Sequence, residues 1–153
     1  MNTEDKTMPI EIVMAEDDAD DRLMVKEAFQ ESHVLNNMHF VEDGYDLLDY
    51  LRHQGRYADR ADFPTPDLIL LDLNMPRKNG RETLQEIKAD PALRHIPAVV
   101  LTTSKSEEDI LRSYDIGASG YITKPVTFEA LVQIATGLCE YWVQIVKLPS
   151  NKD

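Results

Sequence analysis

The sequence predicts one α/β domain with a doubly wound, five-stranded parallel sheet and helices on both of its faces. Short apolar segments alternate five times with longer amphipathic ones along the 153 residues, which is the pattern of repeated strand–helix units. The apolar segments at 10–15, 67–71 and 97–101 show little polar alternation, so we expect strands buried on both faces of the sheet. Right-handed crossovers then place helices on both sides.

The first two strand–helix units occupy the first third of the chain. Strands are predicted at 10–15 and 38–41. The helix between them is expected to face the core with Met24, Val25, Ala28 and Phe29. Asp43 is the predicted N-cap of the next helix. The inward residues of that helix are Leu47, Leu48 and Leu51.

The other three units follow a predicted polar loop at 55–66. Their strands are expected at 67–71, 97–101 and 120–123, and Leu84 and Ile87 mark a helix between the first two. Ser106-Glu-Glu-Asp109 is interpreted as a capping box for the fourth helix. Thr127 can cap the last helix. Its apolar stripe is Leu131, Ile134, Ala135, Leu138, Trp142 and Ile145.

Composition excludes several classes of function. The net charge of −12, from 16 basic and 28 acidic residues, argues against a nucleic-acid surface, which needs basic side chains to neutralise phosphate. No apolar run approaches the roughly 20 residues of a membrane span, and the polar segment 1–9 does not resemble a targeting peptide. Cys139 is the only cysteine, which favours a reducing, cytoplasmic setting. We expect its side chain to be a small buried group.

Functional side chains follow four of the predicted strands. Glu16 and Asp17 follow the first strand, Asp72 the third, Thr102 the fourth and Lys124 the fifth. Ligands of open α/β sheets bind beyond the carboxyl ends of the strands. These residues could be ordinary loop groups that cap helices, but so complete a set at four strand ends favours a functional site.

The carboxylates of this set would repel one another unless a cation offsets their charge. Oxygen ligands alone favour Mg²⁺ over Zn²⁺, and Lys124 supplies a further positive charge. Asp72 follows the central strand, so we predict it as a nucleophile that accepts a phosphoryl group as an acyl phosphate. Thr102 and Lys124 could each bind a phosphoryl oxygen.

The chain resembles the receiver domain of two-component response regulators over almost its whole length. The resemblance rests on motifs in a fixed order, each weak alone. They are Glu16-Asp17, Asp72-Leu-Asn-Met-Pro76 with Gly80, Leu101-Thr-Thr-Ser104 and Gly117-Ala-Ser-Gly-Tyr-Ile-Thr-Lys-Pro125. It implies a flavodoxin-like sheet of order 2-1-3-4-5.

The resemblance also implies a role for each site residue. Asp72 is the phosphoacceptor. The Mg²⁺ ligands are Asp17, Asp72 and the backbone carbonyl of Asn74, with Glu16 directly or through water. Thr102 and Tyr121 form a switch pair that changes the protein surface on phosphorylation. Glu16 departs from the family pattern, where many members carry Asp.

A subfamily is indicated by the long loop at 55–66 and by the tail that starts at Tyr141-Trp142 and ends at Pro149. Both resemble the small response regulators of bacterial phytochromes, which have no output domain. A phytochrome histidine kinase is the implied phosphodonor. The domain is expected at 10–146, between an N-terminal segment at 1–9 and a C-terminal segment at 147–153. The apolar last helix and tail favour a homodimer, although packing onto the chain's own core is an alternative.

Rival functions are a phosphorelay intermediate of a non-phytochrome kinase, an aspartyl-nucleophile phosphatase and a receiver-like module that is never phosphorylated. The phosphatase class carries a second acid two residues after the nucleophile, where this chain has Asn74. The unphosphorylated module would lack part of a set that is complete here. We therefore predict a phosphoacceptor signalling protein rather than an enzyme, with neither nucleic-acid nor membrane partners.

Overall fold

A computed structural model describes residues 9–32, 34–114 and 116–141 of the chain. The strands are β1 (Ile10–Ala15), β2 (Asn36–Val41), β3 (Leu68–Asp72), β4 (Ala98–Thr102) and β5 (Gly120–Thr123). The helices are α1 (Ala19–Gln30), α2 (Gly44–Leu51), α3 (Gly80–Ala89), α4 (Lys105–Tyr114) and α5 (Phe128–Tyr141), with a 3₁₀ turn at Gly55–Tyr57.

All five strands are parallel and lie in the order β2-β1-β3-β4-β5, as predicted. β3 and β4 are buried along their whole length, and β1 is buried except at Glu11. Alternate residues of these strands contribute to two separate cores, one on each face of the sheet. One core contains α2, α3 and α4, and the other contains α1 and α5. The fold class and strand order are therefore confirmed.

Two strands end one residue later than predicted. Asp72 and Thr102 are the last residues of β3 and β4 rather than the first residues beyond them. The ladder continues because the amide of Leu73 still donates to the carbonyl of Leu101 at 3.0 Å. The main chains that carry Asp72 and Thr102 are thus held within the sheet by backbone hydrogen bonds.

Two local predictions are wrong. The capping box was expected at Ser106, but α4 begins at Lys105, and the Ser104 hydroxyl accepts from the amide of Glu107 at 3.1 Å. Ser104 is available for this bond because β4 ends only two residues earlier. Met24 was expected on the inner face of α1 but is 43% exposed, because it lies about 100° around the helix from buried Val25.

Other local predictions are confirmed. Asp43 caps α2 by accepting from the amide of Asp46, and Thr127 accepts from the amide of Ala130 at the start of α5. Cys139 is buried. The loop at 55–66 was predicted to be polar, yet its Tyr57 is buried in the core. No helix in the described part of the chain is long and apolar enough to cross a membrane.

Candidate functional site

Three carboxylates meet at the carboxyl edge of the sheet. Glu16 and Asp17 follow β1, and Asp72 ends the neighbouring strand β3, in parallel register with β1. One carboxylate oxygen of each residue lies within 4.8 Å of the other two. Glu16 and Asp72 are buried, whereas Asp17 is exposed. The structure thus brings together the three acids that the sequence singled out.

Lys124 enters this group of acids from the end of β5. Its ammonium Nζ lies 2.9 Å from Glu16 Oε1 and 3.1 Å from Asp72 Oδ2. Its backbone amide donates to the carbonyl of Thr102 at 2.8 Å, which extends the pairing of β4 and β5. One positive charge is therefore placed between two buried carboxylates.

Burial and neighbouring charge shift two pKa values in this group. Burial raises the pKa of Glu16 to about 7, against a hydrogen bond from Lys124, and the negative charge of Asp72 adds to the rise. Burial lowers the pKa of Lys124, but the bond to Glu16 and the charges of Asp72 and Glu16 outweigh it and raise the pKa above its ordinary value. Lys124 is therefore held in its charged form, and its single positive charge is shared by the two buried carboxylates.

Thr102 is fully buried at the end of β4, beside the strand that carries Asp72. Its hydroxyl donates to the carbonyl of Ser104 at 3.2 Å and lies 3.4 Å from the Thr123 hydroxyl. Its predicted role as a phosphoryl ligand stays a prediction.

Tyr121 lies on β5, opposite Val100 of β4, and is partly buried. The guanidinium of Arg112 lies 4.8 Å from the centre of its ring, which is a cation–π distance. Thr102 pairs with Thr123, two residues further along β5. The register therefore brings the predicted switch residues near each other on adjacent strands, and the switch itself stays a prediction.

Asn74 lies two residues beyond Asp72 in the loop that follows β3. Its backbone amide donates to Asp72 Oδ1 at 3.3 Å. Its side-chain amide lies 3.5 Å from Glu107 of α4. The predicted metal contact through its carbonyl stays a prediction.

The donor set fits Mg²⁺ or Mn²⁺. All three side-chain donors are carboxylates, the ligand type that hard divalent cations prefer. Glu16 uses one oxygen for Lys124 and the other for the backbone amide of Asp18, at 3.1 Å. Asp72 is engaged in the same way, by Lys124 at Oδ2 and by the backbone amide of Asn74 at Oδ1, so which of the acids would bind a metal directly stays a prediction.

Sequence reasoning missed the contacts made by the start of α1. Arg22 Nε donates to the backbone carbonyl of Glu16 at 2.5 Å, and Asp21 lies 3.5 Å from Lys124 Nζ. Asp18 caps the helix by accepting from the amide of Asp21. The spacing from Asp18 to Asp21 is that of a capped first turn and was the available signal. These contacts fix the direction of the loop that carries Glu16 and Asp17.

The fold and the acidic site together define a receiver domain. The chain belongs to the response regulator receiver domain family, which matches residues 12–136. It is a response regulator of two-component signalling, and the resemblance inferred from its motifs is confirmed.

Two relatives are similar over most of their length. Response regulator Rcp1 of Synechocystis sp. is 37% identical over 148 residues, covering 97% of this chain and 99% of Rcp1. The structure of its Mn²⁺-bound form has a TM-score of 0.75 and 38% identity, covering 90% of this chain and 97% of that one. The phosphorylated cyanobacterial phytochrome response regulator RcpA has a TM-score of 0.78 and 44% identity, covering 90% and 96%.

Proposed function

We propose that this response regulator accepts a phosphoryl group on Asp72 from a phosphohistidine of a sensor kinase. An Asp72 oxygen attacks phosphorus while the bond from phosphorus to the histidine nitrogen breaks, and that nitrogen keeps the electron pair. The observation that carries the proposal is the meeting of Glu16, Asp17 and Asp72 within 4.8 Å, beside the charged Lys124.

Each residue around Asp72 has a separate part in this reaction. Asp17, Asp72 and the Asn74 carbonyl would hold Mg²⁺, with Glu16 acting directly or through water. The bound cation would neutralise phosphoryl oxygens and orient the group for in-line attack. Lys124 Nζ, now 3.1 Å from Asp72 Oδ2, binds a phosphoryl oxygen, and Thr102 binds another. Positioning and charge compensation then account for most of the rate.

The signal is proposed to leave through Thr102 and Tyr121. As the Thr102 hydroxyl turns toward the phosphoryl group, Tyr121 moves into the space that the hydroxyl vacates and changes the surface of α4 and α5. The chain is then a cytoplasmic signalling protein that assists its own phosphorylation and dephosphorylation without acting as an enzyme on another substrate. The receiver is proposed to span residues 10–146, of which 33, 115 and 142–146 lie outside the described residues.

A phytochrome kinase is the proposed partner, because RcpA is a phytochrome response regulator that is similar along nearly the whole receiver. A homodimer through α5 and the tail is also proposed. The predicted tail contacts of Trp142, Ile145, Val146 and Leu148 lie outside the described residues. Tyr141, the last described residue, is 53% exposed and lines an apolar groove beside β5 with Leu138 and Tyr121.

Labelling of the chain by a small phosphodonor tests the central proposal. We expect label that depends on Mg²⁺ and is lost in Asp72→Asn. Acid and base should both release the label, because an acyl phosphate is hydrolysed in either. Asp109→Asn, at an exposed position on α4, is the matched control and should label normally. Label that persists in Asp72→Asn would refute the assignment of the acceptor. Turnover of general phosphomonoesters would favour the phosphatase instead.

A further inference from the structure

The loop from Leu73 to Asn79, which we call the β3–α3 loop, leads directly out of the proposed phosphorylation site. Both of its ends are fixed by backbone hydrogen bonds. The amide of Leu73 donates to Leu101 at the end of β4, and the amide of Gly80 donates back to the carbonyl of Leu73 at 3.0 Å. The middle of the loop needs other contacts to hold it in place.

Arg77 supplies such a contact. Its backbone has a φ of 62°, in the left-handed region that residues with a Cβ rarely adopt. Its guanidinium binds the Asp43 carboxylate through two nitrogens, with Nε 2.7 Å from Oδ2. The Asp43 side chain is 1% exposed, so this ion pair ties the loop to a fixed point at the start of α2.

A backbone hydrogen bond beside this ion pair also joins the β3–α3 loop to the start of α2. The amide of Gly44 donates to the carbonyl of Lys78 at 3.2 Å. A Cβ on Gly44 would lie 2.8 Å from that carbonyl and 2.0 Å from the Thr83 hydroxyl, so only glycine allows the approach. Lys78 also binds Glu86 of α3 at 2.6 Å. The start of α2 and the β3–α3 loop therefore pack as one unit.

We propose that Arg77 is a positioning residue for the metal site and acts through Asp43. The ion pair holds the β3–α3 loop in its left-handed bend, and this bend sets the direction of the main chain at Asn74. The inference rests on the proposed function, in which the Asn74 carbonyl is a Mg²⁺ ligand. Groups that orient metal ligands commonly change metal affinity by about 10- to 100-fold when they are removed.

The sign of the effect separates positioning from simple electrostatics. Removal of a positive charge near an acidic site strengthens cation binding if charge alone acts. Removal of a group that orients a ligand weakens it. Loss of the Arg77 guanidinium should therefore weaken Mg²⁺ binding, in the opposite direction to its charge effect.

The test is calorimetric titration of Mg²⁺ into the full chain and its variants. We expect Arg77→Gln to bind Mg²⁺ about tenfold more weakly and Arg77→Lys to recover part of that loss. Arg56→Gln is the matched control, because Arg56 and Arg77 each have 66% side-chain exposure and an aspartate partner. Arg56→Gln should leave the affinity within about twofold, which is typical of an exposed ion pair.

The route through Asp43 is tested by a double-mutant cycle. Asp43→Asn keeps the helix cap but removes the charge, so Arg77→Gln should add no further loss of affinity in that background. Unchanged or tighter Mg²⁺ binding in Arg77→Gln, or full additivity of the two losses, would overturn the proposal. If Arg77→Gln does not fold, Arg77→Lys with and without Asp43→Asn provides the same comparison.

The outcome separates this inference from the proposed function. An unsubstituted chain that binds Mg²⁺ but takes no label on Asp72 would refute the phosphoacceptor function. The role of Arg77 would then be decided by the Mg²⁺ affinities of the double-mutant cycle. A chain that takes label while Arg77→Gln binds Mg²⁺ normally would refute only the role of Arg77. A chain that binds no Mg²⁺ would refute both.

Discussion

At the scale of single residues, the site is a balance of charges in a largely buried place. Glu16 and Asp72 are 1% and 3% exposed, so their repulsion is only weakly screened by water. Lys124 is the cation that touches both in the described structure. Its ammonium therefore takes up space beside these carboxylates and neutralises charge that a divalent metal would also neutralise. The same ammonium can donate a hydrogen bond to a phosphoryl group.

Removal of the Lys124 charge should move metal binding and phosphorylation in opposite directions. In Lys124→Met we expect roughly tenfold tighter Mg²⁺ binding, because a competing cation is gone. Labelling by a small phosphodonor should slow about 100-fold, because a donor to the phosphoryl group is lost. Calorimetry and initial labelling rates at pH 8 measure the two effects.

Lys105→Met is the control for this prediction. Lys105 also binds a carboxylate, Glu108 of its own helix, but its side chain is 71% exposed, and it should change neither quantity by more than about twofold. Weaker Mg²⁺ binding in Lys124→Met would contradict the view that the ammonium and the metal compete for the same carboxylates.

At the scale of secondary-structure elements, the start of α3 positions the end of β3. Asn79 and Glu82 form a reciprocal capping box, which fixes the first turn of the helix. Gly80 follows at the closest approach of the two elements, where an added Cβ would lie 2.6 Å from the carbonyl oxygen of Asp72 and 2.9 Å from Leu73 Cα. Both obstacles are backbone atoms, so neither can move away like a flexible side chain.

Gly80→Ala should therefore destabilise the fold by about 1–3 kcal/mol, the usual cost of overpacking, and slow the labelling of Asp72. Gly137→Ala is the matched control within α5, because nothing lies within 4 Å of its added Cβ. It should stabilise the protein by up to about 1 kcal/mol through helix propensity. Urea unfolding measures both free energies. Equal effects of the two substitutions would contradict the close approach at Gly80.

At the scale of the whole molecule, the sheet separates two cores and leaves β5 at one edge. Exposed strand edges and apolar grooves beside them favour association with another chain. The groove beside β5 includes Leu138 and Tyr141 of α5, so the proposed dimer would continue along the last helix into the tail.

Sedimentation velocity at micromolar concentration tests the dimer. We expect a dimer that is weakened in Tyr141→Glu, because the new charge would be buried at the interface. Tyr45→Glu is the matched control, since Tyr45 is 55% exposed and Tyr141 is 53% exposed, and it should leave the dimer intact. A monomer in the unsubstituted chain, or equal effects of both substitutions, would remove the dimer from the proposal.

The sequence by itself determined the sheet and the grouping of the candidate site residues. Unbroken apolar strands must be buried on both faces, and parallel strands bring their carboxyl ends to one edge. Glu16, Asp17, Asp72, Thr102 and Lys124 could therefore be grouped before any coordinates were known. The buried face of a helix was predictable where the apolar periodicity was strong. It was less predictable for a residue at the boundary of that face, as Met24 illustrates.

Only the tertiary structure decided which charged groups pair. Lys124 binds Glu16 across 108 residues of chain, and Arg77 binds Asp43 across 34. Sequence spacing carries no information about such pairs, because each depends on how two distant loops pack against each other. The same holds for Gly44 and Gly80, whose lack of a side chain matters only where two backbones meet. The grouping of the candidate site residues thus follows from strand order, whereas the contacts that hold their loops in place follow from packing.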